Sequence, residues 1–207
     1  MERRPFINPT FLVEPNMHNR KWGVGLLVLS AMALVLAPLN MPESYSWLQH
    51  TTSESAAQGV RGAWLARLGF LVFGLTVLWL SANLLPGWHQ GARWLHGFFG
   101  LMMVATAVFS TRPWLPSLPF DPLEDALHSF TASAMGFAFA AGIGVRFWQR
   151  QQSGQWPGRL LDVVAVAVSV IIPLGMMALP NWAGLSQRIM FATAYVWYAS
   201  ELLRAKD

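Results

Sequence analysis

Six apolar stretches, each of about twenty residues, fill most of this 207-residue chain. An α-helix needs roughly 20 apolar residues to cross a bilayer core about 30 Å thick. Six such segments leave no room for a soluble catalytic domain. Any function must therefore lie within the helices, on their short loops, or on a surface offered to a partner. The pattern predicts an all-α polytopic membrane protein, a bundle of six transmembrane helices.

Glycine and proline residues mark the ends of the six predicted helices. We place the helices at residues 22–40, 63–85, 92–111, 127–148, 159–179 and 184–204. They form a single transmembrane domain at 22–204, which follows an N-terminal segment at 1–21. Only helices and closed barrels satisfy the backbone in lipid, and runs of about 20 residues exclude barrel strands. Pro173 falls inside the fifth helix and predicts a kink there.

Composition supports this class. Charged residues make up 12% of the chain, whereas a typical soluble domain has about 25%. Many of the 11 Trp residues lie beside the predicted helix ends, as in the aromatic belts of membrane interfaces. The chain has no cysteine, which excludes disulfides and thiol catalysis. We attribute the net charge of +4 to topology and predict no nucleic-acid partner.

The basic residues predict an orientation. Ten of the 14 Lys and Arg residues lie on one side of the predicted membrane and four on the other. The four are Arg61, Arg67, Arg112 and Arg188. Because basic residues concentrate on the cytoplasmic side, both termini should be cytoplasmic. The segments at 41–62, 112–126 and 180–183 should then face outward.

The fourth helix carries a ridge of small residues behind one histidine. His128, Ala132, Gly136, Ala140 and Gly144 recur at every fourth position. Small residues at this spacing let another helix approach closely, which predicts a packing ridge. His128 should then lie in a helix contact and make one hydrogen bond near the outer interface. The alternative is that His128 shuttles a proton or holds a ligand, which makes it the candidate catalytic residue.

Polar side chains gather at the outward helix ends. The candidate ligand-binding residues are Glu54, Arg61, Arg67, His128, Gln187 and Arg188. In a compact bundle they converge on one outward mouth. Arginine suits a phosphate-bearing lipid headgroup, because its planar guanidinium donates a fork of hydrogen bonds. The alternative is ordinary helix-end chemistry, in which Arg67 extends to the interface and the acids complement a helix dipole.

The predicted cytoplasmic side offers local ion pairs. Asp162 lies three residues after Arg159, and Glu201 lies three residues before Arg204. This spacing allows a pair on one helix face, which we favour over a proton relay. His96 is a lone histidine near the start of the third helix and a weak candidate ligand for haem or chlorophyll. No metal-ligand spacing occurs, so no metal site is predicted.

Four short motifs carry a resemblance. They are Ser-Glu-Ser-Ala-Ala-Gln-Gly at 53–59, Gly69-Phe70 with Gly74, His128-Ser129, and Gly-Leu-Ser-Gln-Arg at 184–188. On these the chain, from about residue 22 to 203, resembles a bacterial six-span family known as domain of unknown function 998. That family is distantly similar to the Frag1/DRAM/Sfk1 membrane proteins, which are linked with lipid remodelling, lipid-kinase regulation and autophagy. The resemblance implies a bacterial cytoplasmic membrane and no known reaction.

Three functions are compatible with these patterns. The first is a protein that binds or handles a lipid headgroup at the outward mouth. The second is a non-catalytic accessory subunit of a larger respiratory or photosynthetic membrane complex. The third, more weakly supported, is a small transporter. Membrane lipids are the expected partners, and a membrane-protein partner or a second copy is left open. No cofactor is predicted, and whether the chain is an enzyme is left open.

Overall fold

Each of the six apolar segments forms an α-helix. The structure is a computed structural model that describes residues 17–84, 87–155 and 158–204. The helices are α1 (Met17–Leu36), α2 (Trp64–Trp79), α3 (Gln90–Val108), α4 (Pro122–Gln152), α5 (Arg159–Ala178) and α6 (Ala183–Arg204). These ranges contain no β-strand, so the prediction of an all-α fold is confirmed. Most of the predicted N-terminal segment (1–21) and residue 85, the predicted end of the second span, lie outside the described residues.

Four helical stretches are long and apolar enough to cross a membrane. They are His18–Asn40, Trp64–Asn83, Pro122–Gln152 and Arg159–Ala178, which contain α1, α2, α4 and α5. The other two helices, α3 and α6, lack a continuous apolar stretch of that length and hydropathy: Arg93 and His96 interrupt α3, and Gln187, Arg188 and Glu201 lie on α6. Length and composition therefore support four spans directly, and the count of six stays a prediction.

Local sequence explains how several helices begin and end. The Asp121 side chain caps α4, with Oδ1 accepting hydrogen bonds from the Leu123 and Glu124 amides. Pro122 occupies the first turn, where a missing amide proton costs nothing. The C-terminal end of α2 widens into a π-helical turn at Leu80–Leu84. This turn leaves backbone carbonyls available to other partners.

The helices form a closed ring in chain order. Each helix packs on the next one, and α6 returns to pack on α1. At the loop-rich end, which comprises residues 41–63, 109–121 and 179–183, the Gln58 amide donates to Thr111 O over 3.0 Å. At the opposite end, the His89 amide donates to Gln149 Oε1 over 3.0 Å. The loop-rich end contains most of the segments predicted to face outward.

Glycine permits close contact between neighbouring helices. A Cβ atom on Gly74 of α2 would lie 2.7 Å from Gly100 O of α3, and one on Gly100 would lie 2.8 Å from Gly74 O. Between α1 and α2, the Ser30 hydroxyl donates to Gly69 O over 2.7 Å. Small residues thus allow close helix–helix contacts, as they do in membrane proteins. These contacts lie at positions other than the predicted ridge on α4.

Aromatic side chains fill the centre of the bundle. Phe73 of α2 stacks on Tyr195 of α6 with ring centroids 4.2 Å apart. Phe139 of α4 meets Trp197 and Tyr198 of α6 at 5.7 Å each. These contacts connect α6 to α2 and α4, which are not its neighbours in the ring, so the centre of the bundle is a packed aromatic core.

Candidate functional site

Arg188 fastens the long loop before α2 to α6. Its Nη1 donates to the carbonyl oxygens of Trp47, His50 and Gly184 over 2.8, 2.9 and 2.8 Å. Its Nη2 donates to the Tyr45 hydroxyl over 2.6 Å. The planar fork of donors thereby binds backbone of the protein itself.

Tyr45 completes this arrangement. Its hydroxyl donates to the Thr51 carbonyl over 3.1 Å while accepting from Arg188. Burial raises the pKa of the Tyr45 hydroxyl above its ordinary value, and the nearby Arg188 charge opposes this only in part. The hydroxyl therefore stays protonated at neutral pH and keeps both roles.

Glu54 and Gln187 belong to the same loop attachment. Glu54 Oε2 accepts from the Thr51 amide over 2.6 Å and from the Thr51 hydroxyl over 2.9 Å. Gln187 Oε1 accepts from the Ser53 amide over 3.0 Å, and its Nε2 donates to the Ser53 hydroxyl over 3.3 Å. Three of the six predicted ligand-binding residues thus meet at residues 45–54, where they hold the loop in place.

His128 lies apart from that group, on α4. It is 4% exposed, and its Nδ1 lies 2.8 Å from the Phe109 carbonyl oxygen. Because a carbonyl only accepts, Nδ1 carries the proton. The bond connects α4 to the end of α3, as the packing interpretation predicts. A catalytic role for His128 stays a prediction.

Arg61 is exposed, and its guanidinium has no hydrogen bond or ion pair within the described ranges. It lies at the loop-rich end but outside both groups of bonded residues. The six predicted residues therefore do not meet in one place. Glu54, Gln187 and Arg188 form the loop attachment, while Arg67 borders a separate depression in the surface.

This depression is open and has a volume of about 480 Å³. Its lining residues are Gln58, Gly59, Arg67, Pro119, Phe120, Asp121 and Glu124. They come from the loop before α2, the first turns of α2, and the segment that leads into α4. We call it the outer depression.

Arg67 is held rigidly at its edge. Its Nε donates to Ala56 O over 3.0 Å, and its Nη2 donates to Ala57 O over 3.1 Å. Two backbone carbonyls thus fix the plane of the guanidinium. Nη1 has no partner among the residues that the structure describes. One nitrogen of a charged and immobilised group, Nη1, therefore keeps both of its N–H donors for a ligand.

The acidic residues of the depression are also held in place by hydrogen bonds to the backbone. Glu124 Oε1 accepts from the Ser110 amide over 2.7 Å, and Asp121 Oδ1 caps α4. Gln58 locks the loops together, because its Nε2 donates to Ser110 O over 2.8 Å and its Oε1 accepts from the Asp121 amide over 2.7 Å. The second oxygens, Asp121 Oδ2 and Glu124 Oε2, have no hydrogen-bond partner in the described part of the chain.

The lining of the depression therefore includes one guanidinium and two carboxylates, each with an atom that has no hydrogen-bond partner among the described residues. Such a set can hold a group that carries both signs of charge. Sequence reasoning named Arg67 as a candidate ligand-binding residue and placed Asp121 and Glu124 at the same outward end, but it did not include these two acids or Gln58 among the candidates. The pair Asp121-Pro122 was a readable helix-start signal. Gln58 gave no such signal, because its partners lie 52 and 63 residues away in the chain.

A second polar group is buried at the opposite end, which we call the ionic cluster: Arg146, Arg150, Asp162 and Glu201. Arg146 Nη2 lies 2.9 Å from Glu201 Oε2, and Arg150 pairs with both Asp162 and Glu201. Trp197 Nε1 donates to Asp162 Oδ1 over 2.8 Å. All four charged residues are at most 8% exposed. Two cations and two anions cancel, so the cluster joins α4, α5 and α6 without net charge.

The cluster corrects the predicted local ion pairs. Asp162 pairs with Arg150 of α4 and not with Arg159, whose Nη2 donates to Arg150 O over 3.0 Å. Glu201 pairs with Arg146 and Arg150 of α4 and not with Arg204. Buried carboxylates need partners that are also shielded from water, and α4 supplies them across the helix interface.

His96 is fully buried between aromatic rings. Its Nδ1 lies 2.8 Å from the Tyr198 hydroxyl, and its ring stacks on Trp197 with centroids 4.8 Å apart. Nε2 has no hydrogen-bond partner in the described residues and lies against Gly142, where an added Cβ would come within 2.6 Å. Gly142 therefore packs directly against Nε2, and the weak candidacy of His96 as a ligand for haem or chlorophyll stays a prediction.

The small-residue ridge on α4 gradually leaves the packed interface. His128 is buried, Ala132, Gly136 and Ala140 are half-buried, and Gly144 is exposed. A Cβ on Gly136 or Gly144 would meet nothing within 4 Å. Within the described chain the ridge is therefore not the close helix contact that we predicted. Packing against a second chain stays a prediction.

These features together define a class of protein. Four helical stretches can cross a bilayer, many apolar side chains are exposed, with Met177 at 84% and Phe137 at 79%, and four of the buried charges form one neutral cluster. This is the arrangement of a helical membrane protein.

The chain belongs to the family described as Protein of unknown function (DUF998), whose model matches residues 24–201. The resemblance carried by the four short motifs is thereby confirmed. No curated protein and no solved structure was found to match the chain. The motif residues acquire structural roles here, since Gly69, Gln58, Gly184 and Arg188 all hold loops or helices together.

Proposed function

We propose that this protein crosses the bacterial cytoplasmic membrane six times, with both termini inside, and binds a lipid headgroup at its outward end. Chain continuity supports six spans. Residues 58 and 111 are hydrogen-bonded at one end of the bundle, and residues 89 and 149 at the other. Helix α3 therefore runs the full distance between the ends, about 28 Å for 19 residues. The same reasoning applies to α6, which meets the loop attachment at Gly184 and the ionic cluster at Glu201.

The outer depression is the proposed headgroup site. The observation that carries the proposal is the fixed Arg67 guanidinium, which keeps one nitrogen unpaired beside two carboxylates. Trp64, one turn earlier on α2, is 64% exposed, as expected for a side chain at the membrane interface. Arg67 would bind the phosphate, and Asp121 with Glu124 would bind an ammonium group. A zwitterionic headgroup such as that of phosphatidylethanolamine fits this set.

Native mass spectrometry after gentle extraction tests the proposal. We expect the wild-type protein to retain phosphatidylethanolamine and the Arg67→Ala variant to lose most of it. Arg61→Ala is the matched control, because Arg61 is a basic residue at the same end and has no bonded partner among the described residues. Equal lipid retention in both variants would contradict the proposal. Thermal unfolding of each variant shows whether Arg67→Ala still folds, and Glu124→Gln tests the site without disturbing Arg67.

A docking surface is the second candidate function. The open space at Gly136 and Gly144, beside the exposed Phe137, favours contact with another membrane protein or a second copy. This is the accessory-subunit hypothesis. Gly136→Leu should leave the monomer folded, because a Cβ added there meets no atom of the described residues within 4 Å, and should release a stoichiometric partner on native gels. A monomeric wild-type protein in mild detergent would exclude this candidate.

A further inference from the structure

A second surface groove lies between α2 and α3, toward the end that holds the ionic cluster. It has a volume of about 550 Å³ and is mostly apolar. Its walls include Leu78 of α2 and Trp94, Phe98 and Leu101 of α3. The side chains of Trp94, Phe98 and Leu101 are 71%, 44% and 51% exposed, so they would face lipid.

Arg93 closes one end of this groove. Its Nε donates to Ser81 O over 2.9 Å and its Nη2 donates to Ala82 O over 2.7 Å. Both carbonyls belong to the π-helical turn that ends α2. Nη1 is without a partner in the described ranges. Among the described residues that line the groove, Arg93 is the only charged one, and no carboxylate among them neutralises it.

Gly97 shapes the floor. A Cβ at this position would lie 3.6 Å from the Ser81 hydroxyl, so a small side chain fits but a larger one must extend into the groove. From Arg93 to Leu101 the groove follows eight residues of helix, which is about 12 Å. That depth is close to one leaflet of a hydrocarbon core about 30 Å thick.

We infer that this groove binds one anionic glycerophospholipid of the inner leaflet, with its phosphate on Arg93 and an acyl chain along Gly97 and Leu101. The leaflet follows from the orientation under the proposed function, but the site does not depend on the outer depression. A phosphate complements the free guanidinium donor. The two sites should differ in preference, because an ammonium group finds acidic partners in the outer depression and none in the groove.

The test is a lipid titration of the purified full chain, followed by native mass spectrometry. The probes are phosphatidylglycerol and phosphatidylethanolamine with identical acyl chains, and inorganic phosphate alone. We expect phosphatidylglycerol to bind about tenfold more tightly than phosphatidylethanolamine at this site. Both phosphates can bind Arg93, but the ammonium group of phosphatidylethanolamine would lie near the Arg93 cation without an acidic partner among the lining residues. Equal affinity for the two lipids, or binding of inorganic phosphate without lipid, would overturn the inference.

Two variants separate the headgroup contact from the groove itself. Arg93→Gln should remove the preference for phosphatidylglycerol. Gly97→Leu keeps Arg93 and fills the groove, and it should weaken binding of that lipid about tenfold even if Arg93→Gln does not fold. Arg112→Gln, which alters an exposed arginine at the loop-rich end, should change nothing. Unchanged binding in Gly97→Leu would overturn the inference, whatever Arg67→Ala shows for the outer depression.

Discussion

Glu201 is 3% exposed and accepts hydrogen bonds from both Arg146 and Arg150. A buried charge that loses its partner is compensated neither by water nor by an opposite charge, and this destabilises the folded protein. In a fully paired set every charge is compensated. The four residues of the ionic cluster therefore act together, because the removal of any one of them leaves a buried charge without a partner. At the scale of single residues, the role of a buried charged side chain therefore depends on its ion-pair partners on neighbouring helices.

The Glu201→Gln substitution tests this dependence. We expect it to lower the free energy of unfolding by about 3–5 kcal/mol, because both arginines lose an anionic partner in a buried site. Thermal unfolding in detergent provides the measurement. Arg204→Gln is the control, because Arg204 is exposed and was the predicted local partner of Glu201 but does not pair with it in the structure. A similar loss in both variants would show that the local pair matters after all.

Arg188→Lys tests the loop attachment. Lysine keeps the charge but loses the planar fork that now donates to three carbonyl oxygens and the Tyr45 hydroxyl. We expect faster hydrogen exchange at residues 45–54 and little change in α5. Arg61→Lys should leave exchange unaltered. Slow exchange throughout the loop in Arg188→Lys would mean that other contacts hold it.

At the scale of the element, α4 shows how helix geometry selects a packing face. Residues four apart differ by about 40° around a helix of 3.6 residues per turn. A ridge with strict four-residue spacing therefore starts buried at His128 and ends exposed at Gly144. The buried face instead passes through Phe139, Gly142 and Arg146, where the spacing alternates between three and four.

Two glycines on α4 give a matched pair of substitutions. An alanine Cβ at Gly142 would lie 2.6 Å from His96 Nε2, whereas at Gly144 it would meet nothing within 4 Å. We expect Gly142→Ala to destabilise the protein by about 1–3 kcal/mol through overpacking. Gly144→Ala should be neutral or stabilising by up to about 1 kcal/mol, because alanine favours a helix. Thermal unfolding compares them, and equal stability would contradict the described packing of α4.

At the scale of the whole molecule, the topology can be tested cleanly, because the chain has no cysteine of its own. Ser117 lies at the loop-rich end and Ser153 at the other, and both are exposed. With an impermeant maleimide on intact cells, Ser117→Cys should label at once and Ser153→Cys only after lysis. Labelling of both residues from the same side would rule out the proposed six-span arrangement.

The sequence by itself determined the all-α class, the position of each helix and the family. These depend on apolar length and on turn residues, which are properties of neighbouring positions in the chain. It also identified the polar residues at the helix ends, including Arg67 and Arg188. The N-terminal cap of α4 and the glycine motifs could be read in the same local way.

Only the tertiary structure decided which of these residues meet. Asp162 and Glu201 had equally spaced local partners, yet they pair with α4 because the ring of helices brings it beside them. Gln58 joins loops more than fifty residues apart, and Arg188 turns its donors toward backbone and not toward a ligand. Side-chain contacts of this kind depend on which helices are neighbours and on how far each helix is rotated about its own axis. Neither can be predicted from a local pattern in a single sequence.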